Sequence, residues 1–352
     1  MNNETPQNPT LKPLGVVLII FAVILFLAAE GFYFSGRFKS KNETDLTGDP
    51  SKSRILTGAI LCTADVTGYY EPAGCERFGS LTRRAALLNH FKNYLYLDAG
   101  HFTSDKLARN KAVAPFMETA YALMKLDAMN LTKHDMVNLY KIQHENLLLD
   151  YVSANLRIQA PGYLKNCLRP FKLIPFRLTC RSSTKDIRVG ITGITDNERQ
   201  IHPADLKFTV EDIEQSLKQV APHLEPADIK ILLFNDSFFK LEQLIRDKHI
   251  RFDLVIARAT VPDLINRMLV IGDTTIVFPD EYGRTLGYIA VTREKNKYNF
   301  GFKALIPGMG TREDGIIARL VHEMEMGFDD MNHNTNNNNN QNENQAKTKN
   351  GR

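Results

Sequence analysis

The 352-residue chain contains no tryptophan and only four cysteines. None of the four sits in a C-x-x-C pair, which removes the usual cysteine-based zinc site. A dense Lys/Arg stripe is also missing, and the formal net charge is only +4. That balance argues against nucleic acid as a partner. What is present, 43% hydrophobic and 24% charged residues, is ordinary globular material. The length suffices for one large domain or two small ones.

One stretch departs from that composition. Residues 14–34, LGVVLIIFAVILFLAAEGFYF, are apolar except for Glu30 near the end. About 20 apolar residues span a bilayer, so the segment is expected to be a transmembrane anchor. The alternative is a cleaved signal peptide, but the run exceeds an ordinary h-region and FLAAEG makes a poor small-x-small cleavage site. Residues 1–13 form a short tail before it, and 35–53 a polar, turn-rich linker after it. Arg37, Lys39 and Lys41 on one flank, against Lys12 on the other, lean towards a cytoplasmic C-terminal domain. Residues 329–352 are asparagine-dominated and cannot bury a core, so a disordered tail is expected there. The folded region is therefore 54–328.

Within it, strand and helix patterns alternate. RILTGAILCTAD, YLYLDAG, IRVGITGIT, IKILLFND, FDLVIARA, TTIVFPD and LGYIAVT read as strands that end in polar residues. SLTRRAALLNHFKNY reads as an amphipathic helix capped by Ser80, and TVEDIEQSLKQVAPHL as one opened by Thr209. Helices between hydrophobic strands predict an α/β domain with a buried sheet. Sites in such domains lie beyond the carboxyl ends of strands. Asp65, His101, His134, Asn235 and Arg258 all hold such positions.

The same blocks carry a resemblance. LCTADVTGYYEPAGC, GSLTRRAALLNH, YLDAGH, LDAMNLTKHD, YVSANL and DEYGRTLGYIAV are collinear with motifs of the N-terminal catalytic domain of 5′-nucleotidases, a branch of the calcineurin-like metallophosphoesterases. The resemblance covers most of 55–295. It implies a four-layer sandwich, two mixed sheets packed face to face with helices outside. Because those enzymes are secreted or on the cell surface, it also implies an extracytoplasmic domain, against the flanking charges.

These enzymes hold two divalent ions that clamp a phosphate and activate water. Carried over residue by residue, the ligand set is depleted. Asp65 matches the first aspartate, but Thr67 replaces a histidine and His101 the bridging aspartate. Lys133 replaces the asparagine of G-N-H-E, Asn235 a ligand histidine, and Ala259 and Val261 the two histidines of G-H-S-H. An ammonium cannot ligate a metal and repels a cation beside it. Lys133 is therefore expected to pair with Asp65 in place of a metal, and no cofactor is expected. His134 and Asp135 match the histidine and acid that assist phosphoryl transfer, and would be the catalytic pair if the protein is active. A divalent ion on an altered set, Asp65, His101 and Asn235, would then be required. Asp65, His101, Lys133 and Arg258 otherwise outline a binding site for phosphate or another anion. The function classes are a membrane-anchored, inactive binding or scaffold module with a possible protein partner, or an active phosphoesterase.

Among the cysteines, Cys62 reads as a buried strand residue and Cys75 matches a family loop cysteine. Cys167 and Cys180 flank the proline-interrupted LRPFKLIPFRLT and could form a disulfide outside the cytoplasm, or remain thiols. The anchor makes a direct prediction. The full chain fractionates with membranes and retains residues 14–34, whereas a mature terminus just after Ala29 would identify a cleaved signal.

Overall fold

A computed structural model of the chain describes residues 55–73, 78–103, 107–140, 149–159, 163–180, 183–196, 208–246, 251–295, 297–308 and 310–326. The expected anchor, the segments flanking it and the asparagine-rich tail lie outside these residues, as does Cys75. Among the described residues, no helix is long and apolar enough to cross a membrane.

The chain runs β1 (Leu56–Thr63), β2 (Pro72–Ala73), β3 (Phe78–Gly79), α1 (Leu81–Leu88), β4 (Tyr94–Asp98), α2 (Leu107–Leu123), β5 (Ala128–Asn130) and α3 (Lys133–Tyr140). Then follow β6 (Tyr151–Val152), β7 (Leu156–Ile158), α4 (Tyr163–Cys167), β8 (Leu168–Arg169), β9 (Phe171–Thr179), β10 (Thr184–Thr195) and β11 (Phe208–Val210). The rest comprises α5 (Ile213–Leu224), β12 (Ile229–Asn235), α6 (Phe238–Arg246), β13 (Leu254–Ala257), β14 (Arg267–Ile271), β15 (Thr274–Phe278), β16 (Leu286–Glu294) and β17 (Lys297–Leu305). A last helix, α7, covers 315–326.

Thirteen strands form one hydrogen-bonded path, β14-β15-β13-β12-β10-β9-β1-β4-β5-β6-β8, with β16 and β17 branching from β1. The path is a mixed sheet: β1–β4–β5–β6 and β10–β12–β13–β15 run parallel, while β16, β9 and β14 pair antiparallel. Only one residue pair, Thr57 with Thr179, joins β9 to β1. The path therefore folds back at that point, and its two halves share an apolar core.

Alternation along the strands assigns each side chain to a layer. Ile60, Cys62, Leu95 and Leu97 from one half meet Val189, Ile191, Ile231 and Leu233 from the other. The residues between them, Leu61 and Tyr96, turn outward under α1, α2 and α7. Leu232 and Phe234 likewise turn outward under α5 and α6. Being apolar on both faces is what buries these strands.

Local signals set the helix starts. Ser80 caps α1, its Oγ accepting from the Arg83 N–H at 3.2 Å. Thr209 does not open α5: it lies in β11, and Asp212 is the cap, accepting from the Gln215 N–H at 2.9 Å. Pairing of β11 with β7 holds Thr209 in extended backbone, so the helix starts later, where Asp212 can accept from the first turn. The proline-interrupted excursion is also corrected. It is the strands β8 and β9, and Cys167 and Cys180 at its two ends are thiols rather than a disulfide. Of the twelve residues between them, the nine of β9 alone extend about 30 Å, which carries the two ends beyond bridging distance. Pro175 is tolerated because β9 has a second neighbour only at Thr179.

The halves approach closely at Gly193 of β10. A Cβ there would stand 2.7 Å from the Val152 carbonyl oxygen and would also strike Asn130 Oδ1. Gly193→Ala is expected to cost about 3 kcal/mol or more in urea unfolding of the full chain. Gly301→Ala in β17, with nothing within 4 Å, should change stability by less than about 0.5 kcal/mol.

Candidate functional site

The parallel neighbours β1, β4 and β5 end side by side, and each hands the chain to a turn. Asp65, His101 and Lys133 follow those ends. The turn after β1 lies against the turn after β4 through three backbone bonds. The N–H groups of Asp65, Thr67 and Gly68 donate to the carbonyls of Gly100, His101 and Phe102 at 3.0, 2.9 and 2.7 Å. Asp65, Thr67 and His101 all have positive φ, 54°, 49° and 63°. Tyr282, whose N–H donates to the Asp65 carbonyl at 2.9 Å, adds a fourth at 58°. Such a cluster of non-glycine residues in the left-handed region persists only where the surroundings hold it.

Asp135 does much of the holding. It is fully buried and accepts from the His101 N–H at 2.8 Å, the Thr103 N–H at 3.0 Å and Thr103 Oγ1 at 2.9 Å. Thr132 Oγ1 donates to it at 2.6 Å and accepts from the Asp135 N–H at 3.1 Å, a capping box at the start of α3. The Asp135 oxygens are committed to positioning the turn that carries His101.

Asp65 is buried and touches two basic side chains. One is the Nδ1 of His101. The other is Arg258, from the end of β13, whose Nε lies 2.8 Å from Asp65 Oδ2. That Nε is off the hydrogen-bonding axis, so the attraction is Coulombic. Burial opposes a charge on His101, but the bond to Asp65 and the negative charges of Asp65 and Asp135 outweigh it. The imidazole pKa is raised above its ordinary 6.5. The His134 ring stands edge-on to His101, centroids 4.5 Å apart.

Lys133 departs from expectation. Its ion pair among the described residues is with Asp196, just past β10, and not with Asp65. The reason is local: its N–H donates to Thr195 Oγ1 at 3.0 Å, which turns the residue along the end of β10. Asn155 fixes that end by bonding both the Thr195 N–H and carbonyl, at 3.0 and 2.8 Å. Asp196 was missed in the sequence, although it is the first acidic residue after an apolar strand. Asn235 reaches the Ala99 carbonyl only at 3.5 Å, and Val261 is exposed.

Beneath the turn, Asp98 accepts from Thr63 Oγ1, the Gly100 N–H and Tyr121 Oη. Desolvation dominates those bonds and pushes its pKa up to about 6. Arg84, also fully buried, lies nearby with Nη1 3.5 Å from Tyr121 Oη.

These residues do not fit two divalent ions. Among the described residues no three His, Cys, Asp or Glu side chains are grouped to hold a metal. A guanidinium sits on Asp65, and an ammonium on Asp196. Arg258 and Lys133 each face a carboxylate of this chain.

Structural comparison places this arrangement in a class. The chain superposes on the 5′-nucleotidase precursor from Thermus thermophilus with a TM-score of 0.61 at 18% identity, over 77% of this chain and 59% of that one. For the sulfate thiohydrolase of the same organism the TM-score is 0.58 at 15% identity, over 78% and 61%. For the NAD nucleotidase of Haemophilus influenzae it is 0.56 at 13%, over 78% and 60%. The chain thus spans about three-fifths of these proteins. Its fold is that of the N-terminal metallophosphoesterase domain of 5′-nucleotidases. No protein-family model matches the sequence, and no curated protein matches it.

The site titrates in a defined direction. His101, raised above 6.5, contributes stability that is complete below about 6.5 and lost as pH rises through its folded value. Asp98, raised from 3.8 to about 6, has the same sign, its contribution lost as pH rises through about 6. The urea midpoint is therefore expected to fall between pH 5 and pH 8. In His101→Gln the part of the fall above pH 6.5 should vanish, and the part near pH 6 should remain.

Proposed function

We propose that the protein is a membrane-anchored, catalytically inactive member of the phosphoesterase fold, serving as a binding or scaffold module outside the cytoplasm. The observation that carries this is the contact of Asp65 with the Arg258 guanidinium and the His101 imidazole. Arg258 supplies positive charge that the fold's enzymes obtain from a metal, His101 bonds the same carboxylate, and Lys133 pairs with Asp196. Fixed side-chain cations of this kind cannot activate water as a Lewis acid does. A buried pair that loses one partner leaves an uncompensated charge, so the arrangement maintains itself. Residues 14–34 hold the module at the membrane, and its partner is a protein or an anionic ligand rather than nucleic acid.

One contact favours a second reading. Asp65 and His101 touch, and with Asn235 could present part of a single-ion site to a phosphate ester, with His134 beside it. Metal analysis separates the two. After dialysis the full chain is expected to hold less than one divalent ion and to hydrolyse an aryl phosphate at background rate. Lys133→Asn with His101→Asp should add weak binding and no useful turnover, because Thr67, Asn235, Ala259 and Val261 remain unable to complete the shells. One ion per chain, lost in Asp65→Asn together with activity, would establish the second reading. Two tightly bound ions would overturn the first.

A further inference from the structure

β14 ends the strand path, with β15 on one side and no strand on the other among the described residues. The direction of its backbone groups follows from its neighbours. The Thr275 N–H donates to the Asp253 carbonyl, at the start of β13, at 3.1 Å, so Thr274, Ile276 and Phe278 face β14. Their partners there are Ile271, Leu269 and Arg267. Met268 and Val270 therefore turn their N–H and C=O groups away from the sheet. The same two residues carry the exposed apolar side chains of the strand, 41% and 63% accessible. Natural edges of this kind are usually blunted by charge, proline or a bulge. The charges here sit at opposite ends instead: Arg267 begins the strand, and Asp273 lies in the turn after it, both exposed.

We propose that β14 pairs antiparallel with β14 of a second copy of this chain, about a two-fold axis at Leu269. Charge complementarity selects this occupant. In that register Met268 of each copy faces Val270 of the other, and these are the residues with outward backbone groups, so the hydrogen bonds close. Leu269 faces Leu269. Antiparallel pairing brings the Arg267 end of each strand to the end where the turn after the other copy's strand carries Asp273. One strand thereby supplies apolar contact, backbone bonds and opposite charges at its two ends to its own copy. The proposal is independent of whether the site binds metal.

Disulfide trapping in the membrane-embedded full chain tests it. Across a non-hydrogen-bonded antiparallel pair the Cα atoms lie about 4.5 Å apart, within disulfide range. Leu269→Cys should therefore oxidise to a species of twice the 39.9 kDa chain mass, well above the yield of the unmodified chain. Val270→Cys is the register control, because two copies of residue 270 lie diagonal, about 7–8 Å apart, and should not link. Adding Arg267→Glu to Leu269→Cys should cut the trapped fraction about tenfold by opposing like charges, and further adding Asp273→Arg should restore it. Absence of the Leu269→Cys dimer overturns the proposal. So do equal trapping through Val270→Cys, failure of the charge swap to rescue, or linkage of Leu269→Cys to a foreign protein in place of its own copy.

Discussion

Asp135 has no exposed surface, and its two oxygens collect donors from two separate turns, one after β4 and one at the start of α3. A carboxylate accepting several N–H and O–H bonds is a strong clamp in a dry interior, and a very costly one to leave half-filled. Here it fixes the backbone from His101 to Thr103. That turn in turn fixes Asp65 and Thr67 through the bonds between the two loops. The positive φ values at the site are the geometric residue of this clamp, not independent oddities.

On that frame Asp65 is met by Arg258, from the end of β13, and by His101, from the turn it already touches. A buried pair of this kind adds little to stability compared with apolar packing, yet deleting one partner is expensive. Lys133 without Asp196, or Asp65 without both Arg258 and His101, would leave one charge in a poorly solvated place.

The strands were legible because apolar residues on both faces leave few alternatives, and their polar ends marked the edge where the site lies. The resemblance to 5′-nucleotidases rested on motif order, and the superpositions agree on fold. What sequence could not supply was direction. Lys133 stands in the motif beside Asp65's place, but the Thr195 hydroxyl steers it to Asp196. His134 and Asp135 are adjacent in sequence, while their side chains serve different partners. Thr209 and Asp212 are both plausible caps, and only the pairing of β11 with β7 decides between them. Cys167 and Cys180 could pair or remain thiols on sequence alone, and the strand β9 between them decides for thiols.

The position of β1 has a consequence for biosynthesis. This first strand lies between β4, which follows it closely, and β16, whose paired residues are about 230 positions later in the chain. At ribosomal rates of about 5–20 residues per second, β16 arrives roughly 12–45 s after β1 has been made. Throughout that interval the nascent chain presents an apolar, hydrogen-bonding edge at the middle of its future core. The β1 edge is therefore completed only once β16 has been made, late in synthesis of the domain.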